Sequence, residues 1–596
     1  MTEGNRNQKK SNSEAKTLPV PFALDEITEN VSISTIRQEK SSKSEIINQA
    51  FKFHSQGDIP EATKYYQQLI QQGCNDHRVF SNYGVILKNL GKLQESEISL
   101  RKAIKLKPDF ADSHSNLGNI LKDLGNLNEA EKFYRKAIQL NPEFDNAYYN
   151  LGNILKDLGN LNEAEKFYRK AIQLNPKIDN AHYNLGNVLK DLGNLNQAKN
   201  FYLKAIQLNP KFDKAYYNLG NILRDLGNLN EAENFYRKTI QLNPDFADAH
   251  SNLGNILAEL GKLQEAELST RKAIELKPNF AEANFNLSLL LLKLKIFKEG
   301  WDKYEWRWKC NNINSKLLLK TNKPKWTKEN RGRVLLWVDQ GLGLGDQILF
   351  CSLISDFIYK VDKIILKVDK RLIPLLKRSF KNNIEFISME ESANEKEYDY
   401  HLPIGSLAKY LRKTLDSFDS LNKFSLLINK EKAKEYKKRL LNCKHKKLIG
   451  ISWTSKSKKF PSSLMTLKKM ISGIYSPGIR FINLQYGDVK EEIKNVIKNL
   501  GVEVLEIEEL DYFNDIDDLA ALISACDEIV TIDNITATLS GALGVNTKVI
   551  IPKNSYWPYG VKDKQSYWFR SIKIFRQIKK NDWSTPLNEI RKEIIK

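Results

Sequence analysis

Three short stretches in the second half of this sequence carry residues able to do chemistry. The first is DQGLGLGDQILF, residues 339–350, where Gly341, Gly343 and Gly345 run up to Asp346. Glycines let backbone approach a ligand and turn N–H groups toward an anion, and a carboxylate beside them can take a proton from a bound hydroxyl. A glycine-rich turn is also an ordinary strand-to-helix connection, and this one lacks both the Lys-Ser/Thr ending of a P-loop and the GxGxxG spacing of a dinucleotide site. The second is ISWTSKSKKFPSS, residues 451–463, in which Thr454 and Ser455 leave an apolar run and Lys456, Lys458 and Lys459 follow. Hydroxyls and ammonium groups both donate to phosphate oxygens, so the loop suits a diphosphate; a solvated lysine loop is the rival reading. The third is EIVTIDNITATLSGALG, residues 528–544, an apolar run ending in Asp533, then Asn534 and a helix beginning near Thr536, with Thr538 just inside it. The free N–H groups of a helix start attract an anion and Asp533 can hold sugar hydroxyls, although simple capping uses the same residue types.

The elements that must position these loops are short and apolar. RVLLWV, KIILKV, KLIGISW, RFINLQY, EVLEI, DEIVTI and KVIIPK read as buried strands separated by helices, an α/β pattern with parallel sheets and a ligand cleft at the carboxyl ends of the strands. DIDD at 515–518 contains a literal DxD, but it opens the helical run DDLAALISA, where acidic residues are stabilising without a metal. His401 and His445 have no companion at metal-ligand spacing, so neither a metal nor another cofactor is expected.

The first half is built differently. NLGNILKDLGNLNEAEKFYRKAIQLNP at 116–142 recurs almost unchanged at 150–176; Pro108, Pro142, Pro176, Pro210, Pro244 and Pro278 fall 34 residues apart, as do Gly84, Gly118, Gly152, Gly186, Gly220 and Gly254. A strict 34-residue period is the tetratricopeptide signature, and Leu117, Gly118, Leu121, Ala130, Tyr134, Ala137 and Pro142 take its packing positions. About eight units span 43–310, and they should stack into a superhelix with a concave groove. His114, His182 and His250 share one repeat position with Tyr148 and Tyr216, which makes them packing residues. Asn82, Asn116, Asn150, Asn184, Asn218, Asn252 and Asn286 share another, and such a ladder of amides could hold an extended peptide backbone without reading its sequence. Recent duplication alone would leave the same ladder.

Bulk properties bound the rest. A chain of 596 residues exceeds one hydrophobic core. Its net charge of +21, concentrated in dispersed lysines of the second half, fits nucleic acid, anionic lipid or a phosphate-bearing substrate, or only a lysine-rich composition. Base-reading motifs and clustered aromatics of a nucleic-acid module are not evident. Five scattered cysteines, a polar N-terminus and no long apolar run lead to the expectation of a cytoplasmic protein without a membrane span.

Taken in order, YEWRW (304–308), VLLWVDQGLGLGDQILF, GISW, FINLQYGD (481–488), DIDDLAALISACDEIVTIDN (515–534), SGALG and IFRQ (574–577) resemble the GT-B glycosyltransferases joined to tetratricopeptide arrays and related to the O-GlcNAc transferases. The loops are also similar to those of ADP-heptose heptosyltransferases. The resemblance implies an inverting transfer from a nucleotide sugar, the co-substrate, to a protein or glycan hydroxyl. It puts the base on Asp346, the diphosphate anchor on Lys458 with Thr454 and Ser455, and donor contacts on Asp533, Asn534 and Thr536. Thr538 stands where relatives commonly have His, and the glycine loop holds an extra Leu-Gly. The expected architecture is an all-α tetratricopeptide superhelix followed by an α/β GT-B-like region of two parallel-sheet units. Its parts are a disordered tail (1–42), repeats (43–310) that recruit a protein or peptide, a linker (311–331) and a transferase domain (332–596). The alternative is a protein-binding scaffold with an inactive transferase-like domain.

Overall fold

The computed structural model describes residues 42–310, 319–339, 341–380, 384–441, 447–455, 465–579 and 581–595. The proposed tail, but for Ser42, and residues 311–318 of the linker lie outside the described residues, as do Lys456, Lys458 and Lys459. The chain divides into two compact units, Met1–Asp245 and Phe246–Lys596.

In the first unit the described residues form six helical hairpins, from Lys43–Ser55 with Ile59–Gln71 to Asp213–Asp225 with Leu229–Leu242. The repeat pattern explains each one. In the hairpin Ala111–Asp123 and Leu127–Leu140, Gly118 allows the two helices to touch: a β-carbon there would stand 2.9 Å from the Tyr134 ring. Gly125 makes the turn at φ +83°, a conformation that favours glycine. Pro142 follows the last turn, where it cannot continue a helix. Ala130, Tyr134 and Ala137 are fully buried, and the same positions are buried in the copies at 164, 168 and 171 and at 198, 202 and 205. Two of the three histidines behave as packing residues, His114 and His182 sitting against Phe133 and Phe201 and bonding the carbonyls of Pro108 and Pro176, and His250 is buried.

The second unit begins with two more hairpins, Ala247–Glu259 with Leu263–Leu276 and Ala281–Lys293 with Phe297–Tyr304, so the described hairpins number the eight expected. Two sheets follow. The first contains β1 (Arg333–Trp337), β2 (Lys363–Val368), β3 (Ile384–Ser388) and β4 (Tyr400–Pro403) in the order β3-β2-β1-β4. The second contains β5 (Lys447–Ser452), β6 (Ile479–Asn483), β7 (Val504–Leu505), β8 (Glu528–Ile532), β9 (Thr547–Ile551) and β10 (Ile572–Arg576), in the order β10-β9-β8-β5-β6-β7. Every pairing between these strands is parallel. The fold is therefore an all-α repeat array and an α/β region with two parallel sheets, covered by helices as parallel strands require. The seven strands expected from sequence all form, and β3, β4 and β10 are additional.

A buried ion network ties the last repeat to β1. Arg307 donates through Nε to Asp339 at 2.8 Å, through Nη2 to Ser406 at 2.9 Å and through Nη1 to Glu305 at 2.8 Å. Burial alone would raise the Glu305 carboxyl, but the Arg307 guanidinium and the Lys325 ammonium hold it down at about 2. Asp339 also accepts from the Gly405 backbone, where a side chain would collide with its carboxylate. The stretch YEWRW thus serves the structure, because it fixes the residue from which the glycine loop departs.

Candidate functional site

A parallel strand leaves its next loop at its carboxyl end, and five such ends open on one cavity of about 490 Å³ in the second unit. After β1 come Gly341, Gly343, Gly345 and Asp346; after β5, Ser455; after β6, Tyr486; after β8, Asp533, Asn534 and Thr538; after β9, Tyr556, Pro558 and Tyr559. Arg371, Tyr512 and Phe513 complete the rim. Residues far apart in sequence are thus gathered by topology.

Asp346 lies in the first turn of the helix Leu344–Cys351, where its Oδ2 accepts the Gly343 N–H at 3.3 Å. That helix packs beside Ile535–Ala542 because Gly345 leaves room for Thr538; a β-carbon on Gly345 would stand 3.3 Å from the Thr538 hydroxyl. The Asp533 carboxylate accepts the Tyr559 hydroxyl at 3.0 Å. Enclosure by protein raises its pKa to about 6; the Tyr559 bond opposes the rise and the nearby Asp346 charge adds to it. The cavity therefore holds two carboxyl groups, that of Asp533 raised, beside the start of the helix Ile535–Ala542, where Asn534 caps the Ala537 N–H.

Two of the expected donor contacts are corrected. Thr536 is fully buried and its hydroxyl has no partner among the described residues; it does not line the cavity, because the helix turns it away two residues after the N-cap Asn534. Thr454 contributes backbone only: its N–H donates to Gln485 and its carbonyl accepts from Asn534, and its side chain does not line the cavity. Asn534 does line it, but its amide is committed: Oδ1 caps the helix at Ala537 N–H and accepts from Thr531, while Nδ2 donates to Ser452 at 2.7 Å. Asn534 holds the loops of β5 and β8 together and offers little to a ligand. Lys458, the expected anchor of the diphosphate, lies outside the described residues.

Sequence reasoning missed several residues. Gln485, almost fully buried, accepts from Ser452 Oγ and from the N–H groups of Trp453 and Thr454, so it shapes the loop carrying Ser455. Arg576, within IFRQ, donates to Ser555 at 2.6 Å and to the Tyr559 carbonyl at 2.9 Å, which fixes the turn carrying Tyr556 and Tyr559. Arg371 lies over the half-exposed Phe513 ring at 4.8 Å and pairs with Asp369. The aromatic-rich run at 555–559 was the available signal. In the DIDD stretch, Asp515 caps the helix Ile516–Ala525, Asp517 pairs with Arg378 and Asp518 with Lys432.

In the repeat array the asparagine ladder is also corrected. The amides do not form a floor for a peptide at the rungs that close on themselves. Asn150 Nδ2 donates to Asn119 Oδ1 of the preceding repeat at 3.2 Å, Asn184 to Asn153 at 2.9 Å and Asn218 to Asn187 at 2.9 Å. Each acceptor also takes a hydroxyl proton of its own repeat, from Tyr134, Tyr168 and Tyr202 at 2.6–2.8 Å. Asn82, Asn116, Asn150 and Asn184 are buried, and the repeat spacing supplies an amide partner to Asn150 and Asn184, while the corresponding positions for Asn82 and Asn116 are Phe51 and Val85. Asn252 and Asn286 are half-buried.

Comparison with known proteins bears on the repeats. Models described as TPR repeat match residues 118–159 and 220–261, and models described as tetratricopeptide repeat match 77–110, 99–132, 146–178, 180–212, 201–234 and 247–280. A curated relative, Protein FlbA of Caulobacter vibrioides, is 26% identical over 314 residues, 49% of this chain and 51% of FlbA. The chain thus spans about half the length of the curated relative it matches. Among solved structures, YrrB, described as a TPR protein with an unusual peptide-binding site, is 29% identical with a TM-score of 0.29, covering 31% of this chain and 95% of YrrB. MamA is 26% identical with a TM-score of 0.27, covering 28% of this chain and 96% of its own. The first half of the chain is a tetratricopeptide-repeat array.

Proposed function

We propose that this chain is a protein-recruiting scaffold whose repeats capture a partner and deliver it to a ligand cleft in the α/β region. The observation that carries the reading is the run of helical hairpins at a 34-residue period, matched by tetratricopeptide models over most of 77–280. Arrays of this kind expose long surfaces suited to extended segments of other proteins. The test is photo-crosslinking of the full chain in its own cells, with crosslinkers placed on the exposed faces of the 43–245 hairpins. A discrete crosslinked partner is expected; uniform background labelling would sink the reading.

A second reading takes the cleft as a nucleotide-sugar-dependent glycosyltransferase site. It is favoured by Asp346, Asp533, Ser455 and a helix start lining one cavity at the carboxyl ends of parallel strands. In that reaction the acceptor hydroxyl gives its proton to Asp346, its oxygen bonds the anomeric carbon, and the bond from that carbon to the phosphate oxygen breaks, releasing the nucleoside diphosphate. The N–H groups at the start of Ile535–Ala542, with Ser455, would face the departing charge. Isothermal calorimetry against UDP, GDP and ADP tests it: one saturable nucleotide, weakened by Lys458→Ala, supports transfer, and no binding by any of the three refutes it.

A further inference from the structure

Among the described residues the run of paired amides formed by Asn150, Asn184 and Asn218 does not continue to Asn116, and a cavity stands there. Asn116 occupies the repeat position of Asn150, Asn184 and Asn218, whose Nδ2 atoms each donate to an asparagine of the preceding repeat. For Asn116 that preceding position is residue 85, which is Val. The tyrosine that supports the acceptor in other repeats, Tyr134, Tyr168 or Tyr202, is replaced in this one by Leu100. Where its neighbours have a carboxamide and a phenol, this repeat has two shorter apolar side chains and an opening of about 160 Å³, lined by Val85, Lys88, Asn89, Leu100, Asn116, Asn119 and Ile120.

The polar groups facing that opening are specific. Asn116 is only 6% exposed, and none of its side-chain atoms bonds to protein among the described residues. Asn119 is buried and its Oδ1 already accepts from Tyr134 and Asn150, so Nδ2 is the atom it can offer the cavity. At the next rung the corresponding nitrogen, Asn153 Nδ2, is sealed without a partner among the described residues. The cavity thus presents amide donors from Asn116 and Asn119 and the acceptor Asn116 Oδ1 beside the apolar Val85, Leu100 and Ile120, with Asn89 and Lys88, whose ammonium pairs with Asp123 at 3.3 Å, completing the lining.

We infer that this cavity receives a side-chain carboxamide, the Gln or Asn of a partner segment, in the place of the missing rung. The neighbouring repeats show the chemistry: the Nδ2 of each equivalent asparagine is satisfied by a carboxamide oxygen at 2.9–3.2 Å. A carboxamide also returns a donor to Asn116 Oδ1, whereas a carboxylate would leave that acceptor unpaired or facing a like-charged oxygen. The volume exceeds the share of one water, so solvent alone would have to fill it as a small cluster. The inference rests on the scaffold reading and names what one point of the array recognises.

The test compares three blocked tripeptides that share their backbone and ends, triglutamine, triglutamate and trialanine, by calorimetry on the full chain and on the double variant Val85→Asn/Leu100→Tyr. That variant installs the pair present at Asn119 and Tyr134 and closes the cavity with groups the array already accommodates, and its thermal unfolding verifies the fold. Triglutamine should bind the natural chain at least about tenfold more tightly than trialanine or triglutamate, and the double variant should lose that preference. Equal binding of the three peptides, preference for triglutamate, no binding, or a preference surviving in the double variant would overturn the inference. If the double variant also crosslinks its cellular partner as the natural chain does, the scaffold reading stands while the carboxamide pocket falls.

Discussion

Asparagine is used twice in this molecule, and the two uses differ in what they leave over. In the repeats, Asn150, Asn184 and Asn218 each bond a copy of the same residue type one repeat earlier, and every rung brings its own partner. In the α/β cleft, Asn534 binds unlike groups, Ser452 and Thr531 and the Thr454 carbonyl, and by doing so fixes two loops in the arrangement that leaves the carboxylates facing a space. Periodicity hands these three amides a partner of their own kind; irregular loops at strand ends leave Asp346 and Asp533 with unequal surroundings and room for a ligand. Chemistry is therefore expected where the repetition stops, and recognition where it is interrupted.

The largest effect should follow from the cleft. If it transfers sugar, Asp346→Asn should lower release of nucleoside diphosphate in the presence of acceptor by about 100-fold or more while leaving diphosphate binding within a few-fold, because only the proton acceptor is lost. An unchanged rate would remove Asp346 from the chemistry and erase the distinction drawn between cleft and array. Next in size is the support of that loop. Arg307→Met leaves Asp339 buried without its cation, which costs roughly 3–5 kcal/mol for a pair of this kind, read as a fall in urea midpoint. Adding Asp339→Asn should restore part of the loss; if it does not, the guanidinium acts through its packing on the Tyr304 and Trp308 rings.

What the sequence made legible follows the same division. The 34-residue period sets hairpin limits closely, because identical residues impose identical turns and close contacts such as Gly118 on Tyr134. The ladder resists such reading because each partner lies 31 residues away, a spacing visible in the chain but meaningful only once hairpins stack. Strands with continuous apolar runs were legible; β3 is half-exposed along most of its length, and β4 is four residues ending in proline, so neither carries that signal. In the cleft, glycines, hydroxyls and Asp533 marked the strand ends. Tyr486, Phe513, Tyr556 and Tyr559 did not announce themselves, since an aromatic looks like core until topology places it on a cavity wall.

A smaller effect separates the carboxyl groups by pH. The native pKa of Asp533 stands at about 6, above its ordinary value of 3.8, so the folded cleft holds a proton that the unfolded chain has lost between those values. The sign follows: the stability this group contributes is complete below about pH 3.8 and disappears as pH rises through about 6. A diphosphate in the cleft meets one negative charge fewer once Asp533 is protonated, so its affinity should strengthen as pH falls through 6, by up to about tenfold per unit. Asp533→Asn should flatten that dependence between pH 5 and 7. A slope unaffected by the substitution would assign the titration elsewhere, for instance to the phosphate itself.

The smallest effect is the one that would show the array to be periodic in energy as well as in sequence. Tyr168→Phe removes the hydroxyl that donates to Asn153 Oδ1 at 2.6 Å, but the acceptor keeps its second donor, Asn184 Nδ2, and no buried oxygen is orphaned. The cost should then be near the net value of one hydrogen bond, about 1 kcal/mol, and well below the penalty of an unpaired buried group. Tyr134→Phe and Tyr202→Phe remove bonds of the same kind at 2.7 and 2.8 Å whose acceptors likewise retain an amide donor, from Asn150 and Asn218. The three variants should agree within about 0.5 kcal/mol, and the triple variant should cost their sum, because no two of these bonds share a donor or an acceptor. Unequal costs would mean that the rungs are tuned individually, and the break at Val85 would then be one variation among several in place of an interruption in a uniform ladder.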